Sequence, residues 1–395
     1  MDATVALGAE QAAKIADGVY LVRRERNWDD IKSGGQEEVD KRLKIWKQFS
    51  MDSKNRFSGS SGGNLYRGES GFGYIAEGLG TRKHEVLIGI RGTVTAVDWV
   101  TDALQGLHPG PSGFAVHSGF LRTFESFEPV LRDYLRRAHK NPTTIHIVGH
   151  SLGGALATLA ADYLAARSLD VKLYTFGSPR VGTNTFSEQL SSKVKPANMF
   201  RVSNQSDPVT MVPIFPFIHV PNNSAQYMIP SWGGVNFCNH FMERYIASCQ
   251  EKEWANLKPS VEASMSGQAM AWLESASASG GAVQMYSAKT LWMIMKCLNL
   301  ILSAAAEATN VSTGLAALGL VTVVDHLTMI LHRGILESKK IKNNAVKLIS
   351  VIMKFLGRTF VAGTNLTVSF IRWVLDLLFR ALSTMAYQAL RIANM

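Results

Sequence analysis

Thr143-Thr144-Ile145-His146-Ile147-Val148-Gly149-His150-Ser151-Leu152-Gly153-Gly154 is the stretch on which the fold of this 395-residue chain turns. Its first half is β-branched, apolar and short, the pattern of a buried strand, and it stops at glycine. Beyond it, residues 155–166 are Ala-rich and read as a helix. A strand that enters a helix through Gly-His-Ser-Leu-Gly-Gly places Ser151 on a sharp, strained turn, with its hydroxyl clear of the sheet. Glycines on both sides remove the side chains that would collide there. Gly149, His150 and Gly153 are thus the elbow around a candidate nucleophile. The amide of Leu152 opens the helix and faces the carbonyl that such a serine would attack. A second Gly-x-Ser-x-Gly, at residues 59–63, reads as a Ser/Gly-rich loop with no strand before it and no helix after it, so Ser61 is set aside.

Working outward, residues 85–90, 171–176 and 199–203 repeat the short apolar strand, with helical segments between them. Short buried strands alternating with helices predict an α/β fold with a mostly parallel central sheet covered on both faces. Residues 1–20 carry Asp2, Glu10 and Asp17 and lack an apolar leader core. They predict a helix docked on the body and no cleavable signal peptide, hence a cytoplasmic chain or one exported without a leader.

A serine nucleophile needs a base, and the base needs a carboxylate that orients it. Asp207 follows the strand at 199–203 and precedes Pro208, which favours an extended turn. Two histidines come later. His219 lies in apolar Phe217-Ile218-His219-Val220 and reads as a strand residue satisfied locally. His240 lies in a loop that leads into a helix, where an imidazole could reach Ser151, and it is favoured. The order Ser, Asp, His is that of an α/β-hydrolase. Thr93, after the strand at 85–90, offers a backbone N–H and a hydroxyl to complete an oxyanion hole with Leu152. The histidines show no metal-binding spacing and Cys238, Cys249 and Cys297 are scattered, so no metal and no cofactor is expected.

Five strings then occur in order: Ile90-Arg91-Gly92-Thr93 with Asp98-Trp99, Val116-His117-Ser118-Gly119-Phe120, Gly149-His150-Ser151-Leu152-Gly153-Gly154, Phe176-Gly177-Ser178-Pro179-Arg180-Val181-Gly182, and Asp207-Pro208-Val209. Over about residues 8–250 the chain resembles the class 3 lipases, the fungal-lipase-like branch of the α/β-hydrolases. The resemblance implies Ser151 as nucleophile, Asp207 as orienting acid, and Thr93 with Leu152 as oxyanion residues. It sets His240, Met242 and Tyr245 on the family's His-x-Met-x-x-Tyr-like stretch. It also implies a lid over residues 94–107, containing Trp99, and a lipid ester as substrate. The interval from Asp207 to His240 is short for fungal members.

The remainder has another character. Residues 1–254 hold 28 basic and 25 acidic residues, whereas 255–395 hold 13 and 6. All twelve prolines precede residue 260. A Pro-free, Ala/Leu/Met-rich tail predicts helices at about 288–306, 315–338, 344–362 and 366–393. The chain therefore divides into a lipase-like domain (1–258), a Ser/Ala/Gly-rich linker (259–284) and a basic, apolar helical region (285–395). Lys347, Lys354 and Arg358 fall on one helical face, and Arg372, Asp376 and Arg380 follow at steps of four, which permits two ion pairs. The longest uncharged run of this tail, 308–324, is 17 residues and falls short of a bilayer span. Two readings stay open for 285–395: a bundle buried against itself or the hydrolase, or a unit contacting anionic membrane. The basic residues are diluted by aliphatics and no nucleic-acid motif occurs, so nucleic acid is not expected. A leaderless lipase with a basic helical tail is similar to antibacterial effectors that travel with an immunity protein. The alternative is a membrane-active helical protein whose hydrolase domain serves targeting.

Overall fold

The computed structural model describes residues 5–20, 48–62, 67–92, 106–137, 142–222, 226–229, 237–257, 259–260, 262–278, 280–310, 322–361 and 363–393. Its N-terminal helix α1 (Ala9–Gly18) docks on the body, with Ala9, Ala12, Ala13, Ile15 and Ala16 buried along one face. Strands β1 (Phe49–Gly62), β2 (Arg67–Gly78) and β3 (Glu85–Ile90) follow, then the small hairpin β4 (Leu107–Pro109) and β5 (Ala115–His117). After α2 (Ser118–Glu125) and α3 (Glu128–Arg137) come β6 (Thr144–His150), α4 (Leu152–Ala165), β7 (Val171–Phe176), α5 (Asn184–Val194), β8 (Met199–Asn204), β9 (Gln226–Ile229), α6 (Met242–Cys249) and β10 (Pro259–Ser260).

One sheet runs in the order β1-β2-β3-β6-β7-β8-β9-β10. From β3 to β9 neighbouring strands are parallel, while β1, β2 and β10 pair antiparallel at the edges. This is the mostly parallel α/β sheet expected of an α/β-hydrolase. Alternation along the strands sorts the core into two faces. Val86, Ile88, Ile90, Ile145 and Ile147 enter the cluster with α4, while Leu87, Val148, Tyr174 and Phe200 join α1 and α6 on the other side. Helix α4 is buried from Leu152 to Leu164, and its alanines let it lie close to the strands. Each fully buried leucine there contributes about 1.5–3 kcal/mol.

Two sequence readings change here. Residues 59–62, read as loop, are the end of β1; a polar, Ser/Gly-rich edge strand carries no apolar alternation. His219 is not in a strand: Ile218 makes a single bridge to Gly182, and the chain turns around it.

The C-terminal part is helical, as expected, with α8 (Ala288–Thr309), α9 (Val323–Glu337), α10 (Lys339–Phe355) and α11 (Val368–Ala393). Ser287, Thr322 and Ser338 cap α8, α9 and α10 by accepting the N–H of Thr290, Asp325 and Ile341. The stretch read as a linker contains α7 (Glu262–Ser277), which buries Ala269, Leu273 and Ala276 and packs on α8 and α10. The apolar cores of α7–α11 and of the α4 side of the sheet are continuous. Helix α11 lies on the turns Pro208–Met211 and Phe237–His240, and α8 lies on the first of these.

Charges in this region are engaged by protein partners while staying partly exposed. Lys347 pairs with Glu274 of α7, and Lys354 Nζ donates to Ala276 O and Ala278 O at 3.0 and 3.1 Å, closing the end of that helix. Arg380 pairs with Asp376 at 2.8 Å, as the spacing predicts. Arg372 instead reaches Asp325 of α9 at 2.8 Å. Contrary to the run-length reading, α8 is long and apolar enough to cross a membrane by length and composition. It packs against α7, α9 and α10.

Candidate active site

Ser151 has φ 57° and ψ −133°, between the end of β6 and the start of α4. A non-glycine residue in that region stores about 1–3 kcal/mol of strain. The elbow is held on both sides: Ser151 N–H donates to Phe176 O at 2.9 Å, and Ser151 O accepts from Gly154 N at 2.9 Å. Glycine is required around it by close approach. A Cβ on Gly149 would lie 2.2 Å from Gly153 O, and one on Gly153 would lie 2.3 Å from Ile90 O. The N-terminus of α4 therefore sits against the end of β3, and Leu152 is its first residue, where no helical carbonyl is available to its N–H.

Three distant segments meet at this serine. His240 Nε2 lies 2.9 Å from Ser151 Oγ, and His240 Nδ1 lies 2.8 Å from Asp207 Oδ2. Because Nδ1 faces a carboxylate it carries the proton, which leaves Nε2 as the acceptor toward the serine hydroxyl. Asp207 is completely buried, yet its charge is answered. Tyr245 donates to Oδ2 at 2.7 Å and Val209 N–H donates to Oδ1 at 2.9 Å. Burial and the neighbouring carboxylate push the Tyr245 hydroxyl well above its ordinary range, so it remains a donor.

His150 shapes the other side of His240. Their rings lie 4.7 Å apart, and His150 Nε2 is 2.9 Å from His240 O. That nitrogen must donate, so Nδ1 accepts from Tyr20 Oη at 2.7 Å. Burial, then the proximity of His240, hold His150 well below the usual imidazole range. A neutral ring thus fixes the backbone of His240 without adding a second positive charge.

The structure brings Ser151, Asp207, His240, His150, Leu152, Gly149 and Gly153 together, and leaves His219 bonded to the Thr210 backbone. Thr93, Trp99 and residues 94–105 of the expected lid lie outside the described residues. Gly92, the residue before Thr93, lies against the site: a Cβ there would come within 3.1 Å of Ser151 Cβ. Sequence reasoning assigned no role to Tyr20, whose stretch carries no motif. Tyr245 was visible as part of a motif but not as a partner of Asp207. Cys238, Cys249 and Cys297 are not joined in disulfides.

Residues 87–217 match the family model for lipase (class 3). The chain is 33% identical over 163 residues to secreted mono- and diacylglycerol lipase 1 of Fusarium solani, covering 40% of this chain and 48% of that one. It is 34% identical over 154 residues to the chloroplastic phospholipase A(1) DAD1 of Arabidopsis thaliana, covering 33% and 34%. Lipase II from Rhizopus niveus aligns with a TM-score of 0.41 at 25% identity, over 57% of this chain and 80% of that structure. The chain spans about half the length of the Fusarium relative. The segment 87–217, with the elbow serine at the head of a buried helix, is identified by its match to the family model as a class 3 lipase segment.

Proposed function

We propose that this chain hydrolyses the carboxylic esters of lipids through an acyl-enzyme intermediate. One observation carries the proposal: Ser151 Oγ lies 2.9 Å from an imidazole whose other nitrogen is 2.8 Å from a buried carboxylate. Ser151 Oγ attacks the ester carbonyl as His240 Nε2 takes its proton. Asp207 keeps the imidazole in the required tautomer and stabilises the imidazolium that forms. The Leu152 N–H, with Thr93, receives the oxyanion, and His240 returns its proton to the departing alcohol. Water then repeats the sequence on the acyl-enzyme, releasing the fatty acid and free Ser151. Tyr245 and Val209 hold Asp207 in place, and neutral His150 spares the imidazolium a repelling neighbour.

The relatives are named for mono- and diacylglycerols and for phospholipids, so both substrate classes belong in the test. Wild type and Ser151→Ala are compared on tributyrin, phosphatidylglycerol and phosphatidylethanolamine, alongside labelling by a fluorophosphonate. Hydrolysis and labelling are expected of wild type alone; equal labelling of both proteins defeats the proposal.

Within the chain we assign catalysis to residues 1–258 and a supporting role to 285–395, whose α11 lies on the two turns that carry Asp207 and His240. The narrower reading, an exported antibacterial effector with an immunity protein and an anionic membrane contact, draws on the charge excess of the tail. Periplasmic expression tests it: toxicity is expected of wild type and not of Ser151→Ala, and harmless wild type removes it.

A further inference from the structure

Three stretches that the proposed reaction does not use meet on the helical region: residues 285–286 before α8, residues 357–361 after α10, and the start of α11. Gly357, at φ 66°, ends α10 in the left-handed conformation. Its N–H donates to Lys354 O at 3.1 Å and that of Arg358 to Met353 O at 2.8 Å, so the chain reverses there. Tyr286 is drawn to the same turn, with its ring 5.5 Å from that of Phe355 and its hydroxyl on Leu356 O at 3.4 Å. Met285 joins it, since a Cβ on Gly357 would lie 3.2 Å from Met285 Sδ. From the other side the Arg358 guanidinium lies 5.5 Å from the centre of the Trp373 ring. Trp373 meets Phe370 at 5.8 Å, and Phe370 meets Phe360 at 6.2 Å.

On this continuous surface Met285, Tyr286, Val361, Val368 and Trp373 are between 41% and 70% exposed. Apolar side chains scattered singly over a surface need no explanation, but a contiguous group of them marks a contact. Two grooves flank Arg380 along α11. One is lined by Val368, Arg372, Trp373 and Phe379, the other by Tyr286, Arg358 and Leu377. The charge at this surface is unequal. Arg358, Arg372 and Arg380 stand there with two acids, Asp325 on Arg372 and Asp376 on Arg380, each at 2.8 Å. Arg358 rests on an aromatic ring instead, and its positive charge is the excess.

We propose that this surface docks on a bilayer containing anionic phospholipid. Tryptophan and tyrosine pair an apolar ring with a polar edge and settle at the level of the headgroups, with methionine and valine reaching toward the acyl chains. Arginine keeps its stem among apolar neighbours while its guanidinium meets a phosphate in a two-pronged hydrogen bond. The excess positive charge complements an anionic headgroup layer. The choice of a bilayer over a protein partner rests on the reading of this chain as a lipid-ester hydrolase, whose substrate lies in such a layer. Helix α11 then works on two sides: its outer side meets lipid, and its inner side lies on the turns Pro208–Met211 and Phe237–His240. Docking thus brings the turns that carry Asp207 and His240 to within one helix diameter, about 10 Å, of the headgroups. The surface is separate from the Lys347 and Lys354 face of α10, whose ammonium groups are taken up by α7.

Flotation of the full chain with vesicles tests this, using Ser151→Ala so that binding is read without hydrolysis. The vesicles are phosphatidylcholine alone or phosphatidylcholine with phosphatidylglycerol. Binding to the anionic vesicles, weakened by added salt, is expected. Trp373→Ser combined with Val361→Ser should weaken it at least about tenfold. Arg358→Gln should weaken it about fivefold, and on the anionic vesicles only. Unfolding midpoints should stay within about 2 °C, because these side chains are exposed; if the double variant fails to fold, Arg358→Gln and Val361→Ser carry the test. Failure of Ser151→Ala to float with anionic vesicles, or variants that float as it does, overturns the proposal and leaves this surface to a protein partner. Wild type is assayed alongside on phosphatidylglycerol vesicles. Flotation without hydrolysis removes the ester reading and keeps the surface, whereas hydrolysis without flotation removes the surface and keeps that reading.

Discussion

The two halves of this molecule bury polar groups on opposite principles. The hydrolase half places ionisable and polar side chains deep in its core and connects them: Ser151 to His240, His240 to Asp207, Asp207 to Tyr245, and His150 to Tyr20. Around the bottom of its sheet it does so again, with Glu85 bonded to Arg82 at 2.5 Å and to His146 at 2.8 Å. The helical half fills its interior with Leu, Ile, Val and Ala, and keeps its ion pairs Arg372–Asp325, Arg380–Asp376 and Lys347–Glu274 toward the surface. A buried network costs desolvation and returns a defined geometry, whereas an apolar core returns stability without chemistry. The difference is what the proposed separation of function and support along the chain requires, although the two halves share one continuous core.

The largest expected effect falls on the network. Asp207→Asn leaves the volume unchanged but reverses the hydrogen-bond demand on His240 Nδ1, favouring the wrong tautomer. Turnover of a soluble ester should fall on the order of 10⁴-fold, with little change in the unfolding midpoint. An equal loss of stability and activity would mean that Asp207 is chiefly structural. The next effect falls on the support. Leu378 is buried in α11, and Leu378→Ala should cost about 2–5 kcal/mol. Because the cores are continuous, we expect one cooperative transition shifted as a whole. Two separate transitions, with the catalytic one unmoved, would show that the halves fold independently.

What could be read from the sequence follows the same division. The elbow at Ser151 was legible because its requirements are local: a strand, a turn with Gly149 and Gly153, and a helix. Asp207 was marked by the proline after it, and His240 by its position before α6. The partners that polish the geometry were not legible, since Tyr20 reaches His150 across 130 residues and no local pattern announces it. In the helical half, existence was legible and association was not. The pattern Ala269, Leu273, Ala276 is a helical face, but the serines and glycines around it disguised α7 as a linker. The basic stripe of α10 resembled a surface for anionic lipid, yet Lys347 and Lys354 are engaged by α7. β1 was hidden for a related reason: of its buried positions only Phe49 and Phe57 are large and apolar, and the Ser/Gly residues between and beyond them write no alternation.

Acid should separate the halves again, with a smaller effect. Burial holds His146, His150 and His219 of the hydrolase half below their ordinary values, and His326 of the helical half likewise. A histidine whose folded value is depressed binds its proton more readily when unfolded. Stability is therefore present above about pH 6.5 and is lost as pH falls from there toward the folded values, by about 1.4 kcal/mol per pH unit for each histidine still neutral in the fold. Urea midpoints should fall between pH 7 and pH 5.5. His326→Leu should flatten that slope by about one proton only, because most of it arises in the hydrolase half. A slope abolished by His326→Leu would place the acid sensitivity in the helices instead.

The smallest effect discriminates most sharply about the stripe on α10. Lys347 and Glu274 are one-third and two-thirds exposed, so their pair is worth about 0.2–1 kcal/mol. Lys354, which donates to two carbonyls at the end of α7, adds about 0.3–1 kcal/mol. If the stripe serves α7, Lys347→Met with Lys354→Met should lower the unfolding midpoint by about 1–4 °C, and added salt should reduce the gap between variant and wild type. Binding to vesicles of anionic phospholipid should change little, because these ammonium groups already face protein acceptors. The opposite pattern, an unchanged midpoint with binding lost, would require that α7 leave α10 before lipid is met and would make the packed helices a resting form. Temperature and vesicle flotation on one double variant thus decide whether a basic face that a sequence displays is a surface at all.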